Sequence, residues 1–301
     1  MAIHKFSVST SPISENPGQW SHCQIITGFF AQDDSHADPA RIGALPPRFG
    51  LLDESEDHWS KFDSKVANLN ETAPSGVHYK VFFLGRHGQG WHNVAEAKYG
   101  TQAGIAWDDY YSKLNGDDEM TWGPDPVLTA LGAQQAETAR TAWIKEIMKG
   151  MPTPQRYYAS PLHRALSTWQ ITFGSDETFP EDTRTVMVFE DLREEHGVHT
   201  CDMRNSRTLI QRNFPLRMLV VEPGFTEEDI VWQSDVRESK EHVRTRAQSV
   251  LDRIFDEIES TYISITAHGG IINGLLAAAG RQPYSLPTGG VLPLIIRGEP
   301  E

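Results

Sequence analysis

The sequence predicts an α/β fold, a three-layer α/β/α sandwich around a mostly parallel central sheet, with an N-terminal extension and inserts. Two observations predict it. From residue 79 onward, short apolar runs alternate with segments of helical periodicity, and such alternation requires crossover connections between parallel strands. Two of the apolar runs end in a histidine followed by glycine, which is the edge of an open α/β sheet where ligands bind.

Four segments have the composition of buried strands, short and rich in β-branched or aromatic residues. The predicted strands are Tyr79–Gly85, Arg156–Ala159, Thr185–Phe189 and Tyr262–Ala267. Residues 1–75 are rich in proline and irregular, with Cys23–Phe30 as a weaker strand candidate. Scattered large apolar residues such as Trp20 and Trp59 indicate an arm that packs onto the main body, and a disordered arm is the alternative.

Four segments have apolar residues at helical spacing or begin with a helix-starting residue. The predicted helices are Leu128–Lys149, Pro161–Phe173, Lys240–Ser260 and Ile271–Ala279. Gly150 ends the first of them, and the proline that begins the second is preorganised for the first turn. An acidic insert rich in Trp and Tyr occupies residues 107–126. The predicted organisation is an extension over residues 1–78, packed on a core domain over residues 79–301.

The composition excludes several classes of function. Lys and Arg number 27 against 41 Asp and Glu, a net charge of −14 that argues against nucleic acid and anionic membranes as partners. Residues 32–63 and 107–125 each contribute a balance of −5, so much of the excess lies outside the predicted strands. The longest apolar runs are shorter than the roughly 20 residues of a membrane span. Two cysteines and a polar N-terminus predict a cytoplasmic location.

Two histidines follow predicted strands at matching places. His87 comes after the first strand, and His268 comes after the fourth. Because the carboxyl ends of parallel strands meet at one edge of a sheet, the two imidazoles are expected to lie together. Glycines beside them let the backbone approach a ligand and donate N–H groups. With 12 histidines in the chain, a chance placement of these two is the alternative.

Two arginines and a carboxyl group complete this predicted edge. Arg86 directly precedes His87, and Arg164 opens the helix after the second strand. Arginine binds phosphate oxygens in a bidentate geometry, so these side chains predict a pocket for a dianion. Residues 191–197 follow the third strand, and a carboxyl group in this segment is a candidate general acid, with a solvated surface carboxylate as the alternative for Glu194.

The segment after Glu194 carries potential metal ligands, but the sequence predicts neither a metal nor a cofactor. His196, His199, Cys201 and Asp202 lie within seven residues, and no second cluster pairs with them. They are expected to line or brace the pocket. Several aromatic residues are expected either to cover a leaving group or to pack the insert: Trp91, Trp107, Tyr110, Tyr111 and Trp122.

The candidate residues form an ordered motif set, with Arg86-His87-Gly88, Asn93, Arg164 in SPLHRA, Glu194 in Leu-x-Glu and His268 in Ala-His-Gly. This set resembles the histidine phosphatase superfamily, whose fold is called phosphoglycerate mutase-like. The resemblance extends over roughly residues 79–280. Residues 87–93, 197–202 and 287–290 are similar to the fungal phosphomutase-like branch of that superfamily.

The resemblance implies covalent catalysis without a metal or cofactor. His87 would attack phosphorus to form a phosphohistidine, and Glu194 would protonate the leaving oxygen and then activate water. Glu195, the next residue, is an alternative for the acid–base role of Glu194. The implied catalytic residues are His87, Glu194, His268, Arg86 and Arg164, and the implied phosphate-binding residues are Arg86, Asn93, Arg164, His268, Gly269 and Gln89.

The function implied by the resemblance is hydrolysis of a small phosphorylated metabolite, a phosphomonoester. Three alternatives remain: a phosphoglycerate-type mutase, a divergent enzyme for a diphosphate or another specialised metabolite, and a non-catalytic binding protein on the same fold. The expected partner is the small metabolite, without nucleic acid or membrane, and a homodimer is left open.

Overall fold

The computed structural model describes residues 20, 22–100, 106–174, 178–179, 185–214, 218–257 and 259–300. Within these ranges, seven strands form one sheet in the order β1-β7-β2-β6-β3-β4-β5. The strands are β1 (Gln24–Ile26), β2 (His78–Arg86), β3 (Arg156–Ala159), β4 (Val186–Val188), β5 (Leu219–Val221), β6 (Tyr262–Ala267) and β7 (Val291–Gly298). The five strands from β2 to β5 in this order are parallel, whereas β7 pairs antiparallel with both β2 and β1.

The α-helices in the described ranges, numbered in chain order, are α1 (Pro39–Ile42), α2 (His58–Glu71), α3 (Trp91–Gly100), α4 (Ala106–Asp109), α5 (Ala130–Ile147), α6 (His163–Phe173), α7 (Arg207–Asn213), α8 (Lys240–Asp256) and α9 (Gly269–Ala278). Helices α8 and α9 pack on one face of the sheet, and α2, α5, α6 and α7 pack on the other. Alternate residues of β2 face opposite layers. Phe82 and Leu84 pack with α8 and α9, and Val81 and Phe83 pack with α2, α5 and α6. The predicted α/β sandwich with a mostly parallel sheet is therefore confirmed.

The chain before β2 is more ordered than its sequence indicates. The prediction that residues 1–75 are irregular is wrong for α2, where Trp59, Phe62 and Val66 form a buried face at helical spacing. Strand β1, inside the weak candidate of the sequence, joins the sheet beside β7. Residues 1–19 and 21 lie outside the described ranges, and the domain boundary at residue 78 stays a prediction.

Other boundaries differ from the pattern for identifiable reasons. Helix α8 ends at Asp256, four residues before the predicted end, and residue 258 lies outside the described ranges. Strands β7 and β5 were not among the predicted strands. Strand β7 contains Pro293, whose nitrogen carries no hydrogen to donate to a neighbouring strand, and this residue weakens the sequence pattern of a strand. Strand β5 has only three residues. No helix in the described ranges has both the length and the apolar character needed to cross a membrane.

The central aromatic contacts of one layer involve Trp143 of α5, whose side chain is 1% exposed. Its ring centroid lies 4.8 Å from that of Phe83 on β2 and 5.0 Å from that of Phe49, which precedes α2. The ring of Phe173 on α6 is 5.3 Å away. Trp143 thus joins three segments of the chain to one face of the sheet.

We expect Trp143→Ala to lower the free energy of unfolding by about 3–5 kcal/mol, because the lost contacts leave a cavity that the sheet cannot close. Urea denaturation measures the change. Leu131→Ala is the matched control, since Leu131 is on the same helix and 49% exposed. A loss for Trp143→Ala no larger than that of the control would contradict this account of the core.

Candidate functional site

Three imidazoles meet at the carboxyl edge of the sheet. Strands β2 and β6 are parallel neighbours in which Arg86 is opposite Ala267, so the residues that follow them, His87 and His268, lie side by side. Their ring centroids are 4.9 Å apart. The ring of His92, at the start of α3, is 5.3 Å from that of His87. The juxtaposition expected from strand order is therefore present.

The surroundings of His87 determine which of its ring nitrogens is free. Nδ1 is 2.7 Å from the carbonyl oxygen of Gly88, and a carbonyl only accepts, so Nδ1 carries the proton and donates. Burial lowers the pKa of His87 well below its usual value, and the guanidinium groups of Arg164 and Arg86 lower it further. The neutral ring therefore presents an unprotonated Nε2, which is the form that a nucleophile requires.

The loop around His87 is held by close backbone packing. The N–H of Gly289 donates to the carbonyl oxygens of Arg86 and His87, at 3.1 and 3.0 Å. Gly88 lies directly against Gly132 of α5, so that a Cβ at either position would collide with the backbone of the other segment. Its N–H donates to Thr168 Oγ1 at 3.0 Å. These contacts explain why the loop needs glycine after the histidine.

Arg86 and Arg164 keep part of their donor capacity unused inside the protein. Arg164 is fully buried and donates to the carbonyl oxygen of Cys201 at 2.7 Å and to Asp202 Oδ1 at 2.9 Å. Arg86 donates from Nη1 to the carbonyl oxygen of Leu286 at 2.8 Å. The buried Nε atoms of both arginines have no hydrogen-bond partner within the described residues. An anion among the imidazoles would supply the missing acceptors.

His268 has the same incomplete set of partners. Its Nε2 is 2.7 Å from Ser160 Oγ, which also accepts from the N–H of Leu162 at 3.2 Å. If the hydroxyl donates to Nε2, the ring proton is on Nδ1, the buried nitrogen that has no partner in the described chain. Gly269 begins α9 beside Arg86, so the N-terminus of that helix faces the same region.

Glu194 lies against the first turn of α9, which follows His268. Its Oε2 accepts from the N–H of Gly270 at 3.0 Å, and its Oε1 accepts from the N–H of Glu195 at 2.9 Å. Glycine at position 270 leaves room for the carboxylate, because a Cβ there would displace it from this position. Burial raises the pKa of Glu194, and the nearby carboxylate of Asp202 raises it further. Glu194 is thus disposed to hold a proton under conditions in which an exposed glutamate is ionised.

The two glutamates that the sequence offered for one role have different surroundings. Glu195 forms an ion pair with Lys240 at the start of α8. The segment that carries both is braced by Arg246, which donates to the carbonyl oxygens of Arg193 at 2.7 Å and Glu194 at 3.1 Å. Because Glu195 is paired with Lys240, the structure favours Glu194 as the group that exchanges a proton.

Asn93 and Gln89, which were also predicted to bind phosphate, have different hydrogen-bond partners. Asn93 accepts from the N–H of Gly90 at 3.0 Å through Oδ1, which leaves its Nδ2 as the donor it can offer to an anion. Gln89 is turned toward α5, where its Oε1 accepts from Thr129 Oγ1 at 2.9 Å. Both roles in phosphate binding remain predictions, and the orientation of Gln89 favours a structural contact for its oxygen.

Two residues at the site were given no catalytic or phosphate-binding role by the sequence: Asp202, which was expected only to line or brace the pocket, and Ser160. Asp202 joins two arginines, because Oδ1 accepts from Arg164 and Oδ2 accepts from Arg237, each at 2.9 Å. Ser160 orients His268, as described above. The only sequence signal for Asp202 was its place in a short polar cluster, and the serine lies in the SPLHRA segment without a pattern of its own.

Two groups of side chains in the described chain could hold a metal ion, and arginines already occupy their carboxylates. The first is His196, Glu238 and His242, and the second is His199, Cys201 and Asp202. Glu238 accepts from Arg246 at 2.7 and 2.8 Å, and Asp202 is bridged as above. Burial raises the pKa of Cys201 well above its usual value, which keeps it a thiol rather than a ligand. This charge pattern gives no support to a resident metal.

Comparison with known proteins identifies relatives along most of the chain. The family model of the histidine phosphatase superfamily (branch 1) matches residues 82–289. A probable phosphoglycerate mutase of Arthroderma benhamiae is 44% identical over an alignment of 286 positions, and the match covers 91% of this chain and 84% of the relative. Phosphomutase-like protein 3 of Candida albicans is 34% identical over 269 residues, 89% of this chain and 78% of the relative. A probable phosphoglycerate mutase of Saccharomyces cerevisiae is 31% identical over 284 residues, 86% of this chain and 95% of the relative.

Proposed function

The chain belongs to the histidine phosphatase superfamily, branch 1, and from this membership and its site we propose that it hydrolyses a small-molecule phosphomonoester through a phosphohistidine on His87. The observation that carries the proposal is the neutral imidazole of His87, with Nδ1 bound to a carbonyl, among buried donors that lack an acceptor. A phosphoryl group provides those acceptors, since its oxygens accept hydrogen bonds from Arg86, Arg164 and His268.

In the first step, Nε2 of His87 forms a bond to phosphorus while the bond from phosphorus to the ester oxygen breaks. The negative charge on the phosphoryl oxygens is stabilised by the guanidinium groups of Arg86 and Arg164 and by His268. Glu194 gives its proton to the departing oxygen, which leaves as the neutral alcohol. Raising the pKa of Glu194 serves this step because the carboxyl group must arrive protonated.

In the second step, the ionised Glu194 accepts a proton from water, whose oxygen attacks phosphorus and breaks the bond to His87 Nε2. Inorganic phosphate leaves, and both side chains return to their starting protonation states. No cofactor takes part in either step. The proposed partner is therefore a small phosphorylated metabolite, consistent with an acidic chain that disfavours polyanions.

A phosphoglycerate-type mutase is the second candidate, because two relatives are named probable phosphoglycerate mutases. The two reactions share the first step and differ in the acceptor. A mutase returns the phosphoryl group to another hydroxyl, whereas a phosphatase passes it to water.

The test is to incubate the protein with a radiolabelled phosphomonoester, to quench it, and to follow both the protein and the products. We expect acid-labile, alkali-stable phosphate on His87 and free phosphate in solution. Movement of the ester between hydroxyls without release of phosphate would replace hydrolysis by the mutase reaction. Label that persists equally in His87→Ala would contradict the covalent mechanism.

The pH dependence of kcat/KM provides a separate prediction. His87 must be neutral to attack phosphorus, and its lowered pKa keeps it neutral at acidic pH. Glu194 must be protonated to act as the acid, so activity should fall as the pH rises through its raised pKa. We therefore expect an acidic optimum for alkyl esters. The substrate's own ionisation, with a pKa of about 6, is common to all variants. Glu194→Gln should consequently change the alkaline limb, and an unchanged limb would assign it to the substrate alone.

A further inference from the structure

Beyond the residues that face the phosphoryl group, the site has a second wall that begins on α3. His92 is 8% exposed, and its Nδ1 is buried without a hydrogen-bond partner in the described chain. Glu96 follows one turn later on the same face of the helix. The ring centroid of His92 lies 5.3 Å from that of His87. This face of α3 therefore places an imidazole beside the nucleophile and a carboxylate one turn farther along the helix.

The acidic insert extends this wall to the segment after Glu194. Glu96 Cγ and Trp107 Cβ would each lie 3.9 Å from a Cβ on Gly100, so the insert begins beside Glu96. Asp108 Oδ1 is 3.3 Å from Nε2 of His199, and the ring of Trp107 meets that of His199 edge-on at 6.2 Å. We call His92, Glu96, Asp108 and His199 the leaving-group wall.

The insert is attached firmly to this segment. Thr200 Oγ1 donates to the carbonyl oxygen of Leu114 at 2.6 Å. Trp107 and Trp122 are 6% and 0% exposed and pack together with Ala95 of α3. The sequence left open whether these tryptophans cover a leaving group or pack the insert, and their burial favours packing of the insert. The backbone of the insert is thus held against α3 and against the segment after Glu194, while the Asp108 side chain is 70% exposed.

Negative charge predominates along this wall. Glu96 and Asp108 are both exposed residues. Desolvation by the surrounding protein raises the pKa of Glu96, as do the neighbouring carboxyl groups of Asp108 and Asp202, whereas Arg86 lowers it. Two of the nearby cations are already paired, because Arg237 binds Asp202 and Lys240 binds Glu195, and the third, Arg86, is assigned to the phosphoryl group by the proposed function. A second anionic group on a substrate would therefore meet carboxylates rather than a free cation.

We propose that the leaving-group wall selects phosphomonoesters whose alcohol is uncharged and bears hydroxyl groups, and that it disfavours alcohols that carry a carboxylate. Imidazole N–H groups and carboxylate oxygens bind hydroxyls, while a substrate carboxylate is repelled by Glu96 and Asp108. This inference rests on the proposed function, since it concerns the alcohol that leaves when His87 takes the phosphoryl group.

Glycerol 3-phosphate and 3-phosphoglycerate are a matched pair of probes, because they differ only in a hydroxymethyl group against a carboxylate. We expect kcat/KM for glycerol 3-phosphate to be higher by about tenfold or more at low salt. The double variant Glu96→Gln, Asp108→Asn should narrow that ratio by about threefold or more, chiefly by improving 3-phosphoglycerate. The control is Glu241→Gln, whose carboxylate on α8 is 78% exposed, and it should leave the ratio unchanged.

Three outcomes would overturn the inference: equal kcat/KM values for the two esters, a preference for 3-phosphoglycerate, or a ratio that the double variant does not change. Each can occur while His87→Ala still abolishes turnover, in which case the proposed function stands and only the selectivity fails. Turnover that survives His87→Ala would instead contradict the proposed function itself.

Discussion

Replacing His87 by alanine should lower kcat/KM for any phosphomonoester by about a thousandfold or more, because the reaction then has no nucleophile to form the covalent intermediate. The guanidinium groups of Arg86 and Arg164 remain, each with a buried Nε that has no partner in the described chain, so the variant should still bind inorganic phosphate. Steady-state kinetics measures the first effect, and calorimetric titration with phosphate measures the second.

Retained phosphate binding separates loss of chemistry from loss of the fold. His36→Ala provides the matched control, because that imidazole is 93% exposed and distant in sequence from the motif residues. Its kinetics should equal those of the unmodified protein. If His87→Ala binds phosphate and still turns over at the original rate, the nucleophile is another group.

Replacing Glu194 by glutamine should have an effect that depends on the leaving group. Glutamine cannot give a proton to the ester oxygen, so hydrolysis of alkyl esters should slow by about a hundredfold to ten-thousandfold. With an aryl ester, whose alcohol leaves readily as an anion, the rate of phosphohistidine formation should fall much less. Rapid-quench measurement of the first step with both esters tests this difference.

Glu195→Gln is the control for that comparison. Its carboxylate is ion-paired with Lys240, whereas Glu194 is bound by the backbone N–H groups of Gly270 and Glu195. The Glu195 variant should therefore keep the leaving-group dependence of the unmodified protein. A leaving-group effect confined to Glu195→Gln would transfer the acid role to that residue.

The sequence predicted the central part of this architecture because strand order alone brings certain residues together. His87 and His268 follow parallel neighbours, so their proximity needed no knowledge of side-chain packing. Arg164 follows β3, which pairs with β6 in the same way. The resemblance to the superfamily added Glu194 to this group, and the structure brings that residue against Gly270.

The parts that sequence patterns did not predict depend on contacts between distant segments. Asp202 has no periodic context, and its importance arises only when Arg164 and Arg237 approach it from different parts of the chain. Helix α2 was missed because the proline-rich composition around it outweighed one short apolar stripe. The leaving-group wall likewise requires α3, the insert and His199 to meet, which no local pattern encodes.

The position of β7 between β1 and β2 has a consequence for how the chain assembles during synthesis. Strand β1 is made early, yet its partner in the described sheet is β7, which is made more than 260 residues later, as the pairing of Gln24 with Arg297 records. The edge of the sheet at β1 therefore cannot form until nearly all of the chain has emerged. Contacts of such large sequence separation form slowly, so we expect β1 to dock late, after the parallel strands have assembled.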